Sequence, residues 1–169
     1  MTYYFKETDK GYLGKAFEME IKNALNRRNA NRVSPCGTAD FRYHHKNYDT
    51  KQNGSVLQYH AGENYIKGSN RVIYATHIAH SVTCVNGQVA VEVNLAETDM
   101  FVLDKKEFVN FLEEIGCVKV NTERGTVNIQ TVYNYKKDAY HGKKGLAIEE
   151  WAYEHELDDD IIGEILAGL

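Results

Sequence analysis

GTADFRYHHKNYDTKQNGSVLQYHAGE, residues 37–63, reads as two extended runs joined by Asn53-Gly54, the dipeptide that most strongly marks a tight hairpin because both of its residues tolerate positive φ. Asp40 stands where the first run begins. Alternate side chains of a strand take opposite faces, so Ala39, Phe41 and Tyr43 share one side while Asp40, Arg42 and His44 share the other. In the second run Leu57 and Tyr59 oppose Val56, Gln58 and His60. Matching the apolar sides in a core brings Asp40 and Gln58 together on one face near the top of the hairpin.

Outward from this hairpin, residues 11–28 carry Leu13, Phe17, Ile21, Ala24 and Leu25 at spacings of three and four, which predicts an amphipathic helix. Glu18 falls on the edge of its apolar stripe, and Glu20 further toward solvent. A second Asn-Gly at 86–87, flanked by β-branched residues, predicts another hairpin. Strands are expected near 39–48, 55–60, 71–84 and 88–95, and a short one at 100–103. Asp104, with Glu107 three residues later, forms a capping-box signature for a helix whose buried stripe is Phe108, Phe111, Leu112 and Ile115. Residues 117–134 alternate as strand, turn and strand, and 136–145 form a basic loop. From about Leu146 the pattern is an amphipathic helix, with Ile161, Ile162, Ile165, Leu166 and Leu169 as its apolar stripe.

A chain of 169 residues is the size of one domain and needs no staple. Cys36, Cys84 and Cys117 are far apart and form no CxxC pair, which fits neither a zinc knuckle nor a disulfide framework and suits reduced thiols in a cytoplasm. No basic region followed by an apolar stretch opens the chain, and no segment approaches the roughly 18 apolar residues of a membrane span. The expectation is a soluble cytoplasmic protein. Its net charge of −4 hides an asymmetry. All 20 Lys and Arg lie at or before Lys144, whereas eight of the 24 acids lie between Glu149 and Glu164, leaving residues 1–148 at +4 and the last 21 at −8. A positive body suits nucleic acid, and the acidic end would repel it.

The stretches GKAFEMEIKNAL, GTADF, QYHAGENYIKGSNRVIYA, DKKEFVNFLEEIG and VNIQTVYNYKK, in that order, resemble the PD-(D/E)XK nuclease superfamily, and more closely small phage and prophage proteins of that type. The resemblance covers residues 11 to about 144. It implies an α/β fold of the restriction-endonuclease-like kind, a mixed sheet flanked by helices, as a domain of residues 1–145, with 146–169 as an acidic C-terminal helical extension packed on the body or on a second copy.

In such nucleases an acid on the first helix, an aspartate starting one strand and an acid-x-lysine on the next hold Mg²⁺ or Mn²⁺ and position the attacking water. Carried over, Glu18 fits the helix acid and Asp40 the aspartate, both as metal ligands. The acid-x-lysine, which in the related proteins lies just ahead of an AGE sequence, falls on Val56 and Gln58. Neither supplies the missing charge, so the resemblance implies a weakened or lost phosphodiesterase, with Glu63 as a substitute ligand. Each of these residues has a plainer reading: a turn acid for Asp40, a hydrogen-bonded sheet amide for Gln58, and a partner of Lys15 or Lys22 for Glu18.

Arg27, Arg28 and Arg32, together with Lys136, Lys137, Lys143 and Lys144 and the interleaved Tyr133, Tyr135 and Tyr140, suit a DNA backbone or single strand. Two function classes follow. One is a nucleic-acid-binding nuclease-fold protein. The other is an inhibitor whose Glu149–Glu164 acids meet the basic cleft of a host defence nuclease. The terminal apolar stripe leaves a homodimer open.

Overall fold

The computed structural model describes residues 1–9, 11–28, 33–36, 39–52, 58–60, 70–115, 118–121, 126–129 and 143–169, with backbone alone at 58–60, 70, 118–121, 126–129 and 143–145. The expected Asn53-Gly54 turn, Val56, Glu63, Arg32, Lys136, Lys137 and the three late tyrosines lie outside these residues, as do the side chains of Gln58, Lys143 and Lys144.

Ten strands and four helices are described: β1 (Thr2–Lys6), α1 (Tyr12–Arg28), β2 (Phe41–Tyr43), β3 (Lys46–Gln52), β4 (Gln58–His60), β5 (Asn70–Ala75), β6 (His80–Val85), β7 (Gln88–Val93), β8 (Met100–Asp104), α2 (Lys105–Glu114), β9 (Val118–Asn121), β10 (Thr126–Ile129), α3 (Lys143–His155) and α4 (Ile161–Ala167). They form a mixed α/β fold. Its central sheet has the order β2-β3-β5-β8, with β3 and β5 parallel and the other neighbours antiparallel. Two antiparallel sheets of three strands accompany it, β1-β7-β6 and β4-β10-β9.

The central sheet is apolar on both faces, as the alternation of β5 and β8 requires. Ile73, Ala75, Met100 and Val102 join Phe17, Ile21, Ala24 and Leu25 of α1, Val89, Val91 and Val93 of β7, and Ile161 and Ile165 of α4 in one cluster. Val72, Tyr74, Phe101 and Leu103 meet Phe108, Val109 and Leu112 of α2 and Ile148 and Ala152 of α3 on the other face. Each fully buried aliphatic or aromatic side chain contributes about 1.5–3 kcal/mol. Among the described residues no helix is long and apolar enough to cross a membrane.

The expected pairing of 39–48 with 55–60 is corrected. The first run is itself a hairpin: His44 and His45 adopt φ of 48° and 65°, and β2 turns back onto β3 with Phe41 opposite Tyr48. Two consecutive residues at positive φ make a turn whose twist matches that of the strands. β4 pairs with β10 in a different sheet. By contrast, the 86–87 hairpin forms as expected, with Asn86 and Gly87 at φ of 50° and 76° and Val85 opposite Gln88. The expected strand 71–84 is divided into β5 and β6.

The single terminal helix expected from about Leu146 is two helices, and the first starts earlier, at Lys143. The break falls in the run of aspartates because Asp159 Oδ1 accepts from Ile161 N at 3.0 Å, starting a new helix where the old one would have continued. Asp104 caps α2 by accepting from Glu107 N at 3.0 Å. Gly168 presses on α1 so closely that a Cβ there would overlap the Ala24 carbonyl. The acidic extension is therefore woven into both faces of the core. Asp159 accepts from Arg71 at 2.7 Å and from the Tyr48 hydroxyl at 2.8 Å. Although burial pushes the other way, the Ile161 N–H, Tyr48 and Arg71 hold its carboxyl below the ordinary value.

Candidate functional site

The β2–β3 turn places Asp40, one residue before Phe41, across from Asp49. Asp40 N donates to Tyr48 O at 3.0 Å and to Asp49 Oδ1 at 3.2 Å. Its Oδ2 accepts from Thr50 N at 2.8 Å and Thr50 Oγ1 at 3.1 Å. The Asp40 side chain thus continues the ladder past the end of β2 and is fixed by β3.

Parallel pairing sets Asp49 beside Val72, Thr50 beside Ile73 and Lys51 beside Tyr74. Paired residues share a face, so Asp49 and Lys51 lie on the α2 side of the sheet and Thr50 on the α1 side. From the α2 side comes Lys105, with Nζ 2.9 Å from Asp49 Oδ2. Asp49 Oδ2 is buried, and the Lys105 ammonium is its ionic neighbour. Burial pulls the Lys105 ammonium below its ordinary value, with Asp49 as the main opposing influence.

α1 reaches the same place from the other side. Gly14 leaves room for Gln52 at the end of β3, and Glu18, one turn later on that face, is half-buried. Loss of hydration and then the charge and hydrogen bond of Asp40 push the Glu18 carboxyl up to about 7, against the pull of Lys22 and Lys51. The pair with Lys22, at 3.8 Å, is the i,i+4 partnership of the plainer reading, and it coexists with the Asp40 contact. Lys51 acts on both Glu18 and Lys105. Glu18, Asp40, Asp49, Lys51 and Lys105 are one electrostatic unit at the β2 edge of the sheet.

A carboxyl whose folded pKa lies above its ordinary value of 4.5 binds its proton more tightly in the folded chain. Its contribution to stability is full below the unfolded pKa and is lost as pH rises through about 7. In chelator, the wild type is expected to lose melting temperature between about pH 5 and about pH 7. Glu18→Gln, with no proton to lose, should show a flatter profile and a higher melting point at the neutral end. Thermal scans of both proteins across that window check this, and parallel profiles would show that the proton resides elsewhere.

Mg²⁺ and Mn²⁺ require hard oxygen donors, and the carboxylates that offer them here are those of Glu18, Asp40 and Asp49, the last with a buried Oδ2 that faces Lys105 Nζ at 2.9 Å. Among the described residues no group of three His, Cys, Asp or Glu side chains is placed so as to hold a metal ion; the Asp49 carboxylate is turned between the Asp40 amide and Lys105.

Several expected site residues stand elsewhere. Asp40 precedes β2, which pairs with β3, whereas Gln58 begins β4, which pairs with β10, so among the described residues no ladder joins the two. Glu20, expected toward solvent, is 4% exposed and accepts from Tyr3 at 2.7 Å and Arg27 at 3.2 Å. Arg27 also donates to Gly168 O at 2.7 Å, which clamps α1 to α4. Arg28 is exposed.

Asp49, Lys51 and Lys105 were missed. Lys46–Gln52 is polar and charged, a composition depleted in strands, and the strand expected here ends at residue 48. One signal was available: apolar positions run odd through Phe41 and Tyr43 and even at Tyr48, a change of phase that demands a turn between them. Comparison with protein-family models, curated proteins and solved structures gives no match.

Proposed function

We propose that this protein is a metal-dependent phosphodiesterase acting on nucleic acid, built on a PD-(D/E)XK-like plan in which Asp49-Thr50-Lys51 is the acid-x-lysine. The observation that carries this reading is the placement of Asp49 and Lys51 on the strand next to Asp40, with Glu18 of the first helix against Asp40. That is the arrangement the sequence resemblance called for, but it lies on the strand preceding the one to which the motif was assigned. The weakened activity expected from Val56 and Gln58 therefore loses its basis.

Asp40, Asp49 and Glu18 would hold Mg²⁺ or Mn²⁺, which when bound lowers the pKa of water and stabilises negative charge on phosphate. Thr50 keeps Asp40 in one orientation. Lys51 brings positive charge toward the phosphate whose oxygens gain charge as a water oxygen bonds to phosphorus and the ester oxygen leaves. Bases of the nucleic acid need not be read for this chemistry, since phosphate contacts supply affinity without sequence. A phage or mobile-element setting follows from the resemblance.

The inhibitor reading draws on the acidic extension, two of whose acids are already committed inside the molecule: Asp159 to Arg71 and Tyr48, and Glu164 to the Tyr43 hydroxyl at 3.1 Å. Purified protein is expected to nick supercoiled plasmid or cut single-stranded DNA with Mg²⁺ or Mn²⁺ and to stop in chelator. Intact DNA with both metals at stoichiometric protein would overturn the proposal.

A further inference from the structure

Lys105 opens α2 immediately after the capping Asp104, and 2% of its side chain is exposed. Two effects oppose an ammonium there. The first turn of a helix carries partial positive charge, and burial removes hydration that a charged group replaces only through a partner. The α2 stripe beside it, Phe108, Val109 and Leu112, supplies no such compensation. Asp49 and, at longer range, Asp40 supply attraction. Without Lys105, Asp49 would be a buried carboxylate beside Asp40.

The two oxygens of Asp49 are disposed unequally. Oδ1 accepts the Asp40 amide, so a cation reaching Asp49 must take Oδ2, the atom Lys105 faces at 2.9 Å. That contact is an ion pair between single charges, and an ion of higher charge can replace the ammonium in it.

We infer that Lys105 is the resident counter-ion of the carboxylate cluster: it holds Asp49 Oδ2 in the metal-free protein and yields it to an entering divalent cation, thereby setting the cation affinity. The inference rests on the metal-dependent reading above and concerns how that site is loaded. It makes Lys105 a positioning residue, distinct from Lys51.

Mn²⁺ titrated by calorimetry without DNA tests it. Lys105→Met is expected to bind Mn²⁺ about tenfold more tightly than wild type, whereas Lys105→Arg, which keeps the charge, stays close to wild type. In chelator Lys105→Met melts lower, and Mn²⁺ raises its melting point by more than it raises that of wild type. If the Met variant does not fold in chelator, folding on addition of Mn²⁺ supports the inference and failure to fold at any Mn²⁺ concentration overturns it. A Mn²⁺-soaked wild-type crystal adds an arm that needs no variant: Lys105 moved away from Asp49 supports the inference, and the ion pair intact beside bound Mn²⁺ overturns it. Equal Mn²⁺ affinity of wild type and Lys105→Met removes the role of Lys105 alone. Absence of Mn²⁺ binding by either protein removes the metal-dependent reading as well.

Discussion

Lys51→Met is expected to lower metal-dependent DNA cleavage by about 10²–10³-fold, the usual cost of deleting one charge aimed at a transition state, while the melting curve stays near that of wild type. Lys51 is only half-buried, so the methionine keeps the aliphatic stem against the sheet and removes the ammonium. Asp49→Asn should be at least as damaging to cleavage, but it also strips Lys105 of its carboxylate, and breaking a buried pair costs about 3–5 kcal/mol. The lysine variant is therefore the cleaner experiment. Gln58→Ala, on the strand that pairs with β10, should leave cleavage unchanged. Cleavage rates of the two variants under identical Mn²⁺ discriminate the two placements of the acid-x-lysine: loss at Gln58 with retention at Lys51 would restore the placement at 56–58.

Removal of residues 146–169 is expected to unfold the chain. The deletion takes Ile148 and Ala152 from one cluster and Ile161 and Ile165 from the other. Losing one buried isoleucine to alanine costs about 2–5 kcal/mol, and a whole domain holds only about 5–15 kcal/mol. Asp159, the anchor for Arg71 and Tyr48, is lost too. Circular dichroism and limited proteolysis of residues 1–145 check this; a cooperative melt of the truncated chain would show that the acidic end is an appendage. The truncation is thus a poor test of partner binding, since it removes the core along with the acids. Substituting the exposed Glu150, Glu154 and Glu156 tests the acidic surface with the fold intact.

Much of the architecture was legible from local pattern. α1 was legible because Phe17, Ile21, Ala24 and Leu25 recur with the helical period, and all four are buried at 0–1% exposure. The 86–87 hairpin was legible because its turn needs φ values that Asn and Gly adopt at little cost. α2 was legible because Asp104 announces its start. Harder to read was the turn at His44-His45, two residues with a Cβ at positive φ, where no composition rule points and only the phase change from Tyr43 to Tyr48 gives warning. Once that turn is missed, β3 is not seen as the strand beside Asp40, and Asp49 and Lys51 go unnoticed.

Sequence alone was enough for the amphipathic helices and for the charge asymmetry, because these depend on spacing along one chain, and the resemblance pointed to Glu18 and Asp40 as candidate acids. Tertiary structure decided which lysines and carboxylates meet. Asp49 is brought to Asp40 by a hairpin, Lys105 to Asp49 by a helix start more than fifty residues away, and Asp159 to Arg71 by the closing of the terminal helices on the sheet. Such pairings arise from strand register and from which face of the sheet a helix covers, and neither leaves a periodic trace in the residues themselves.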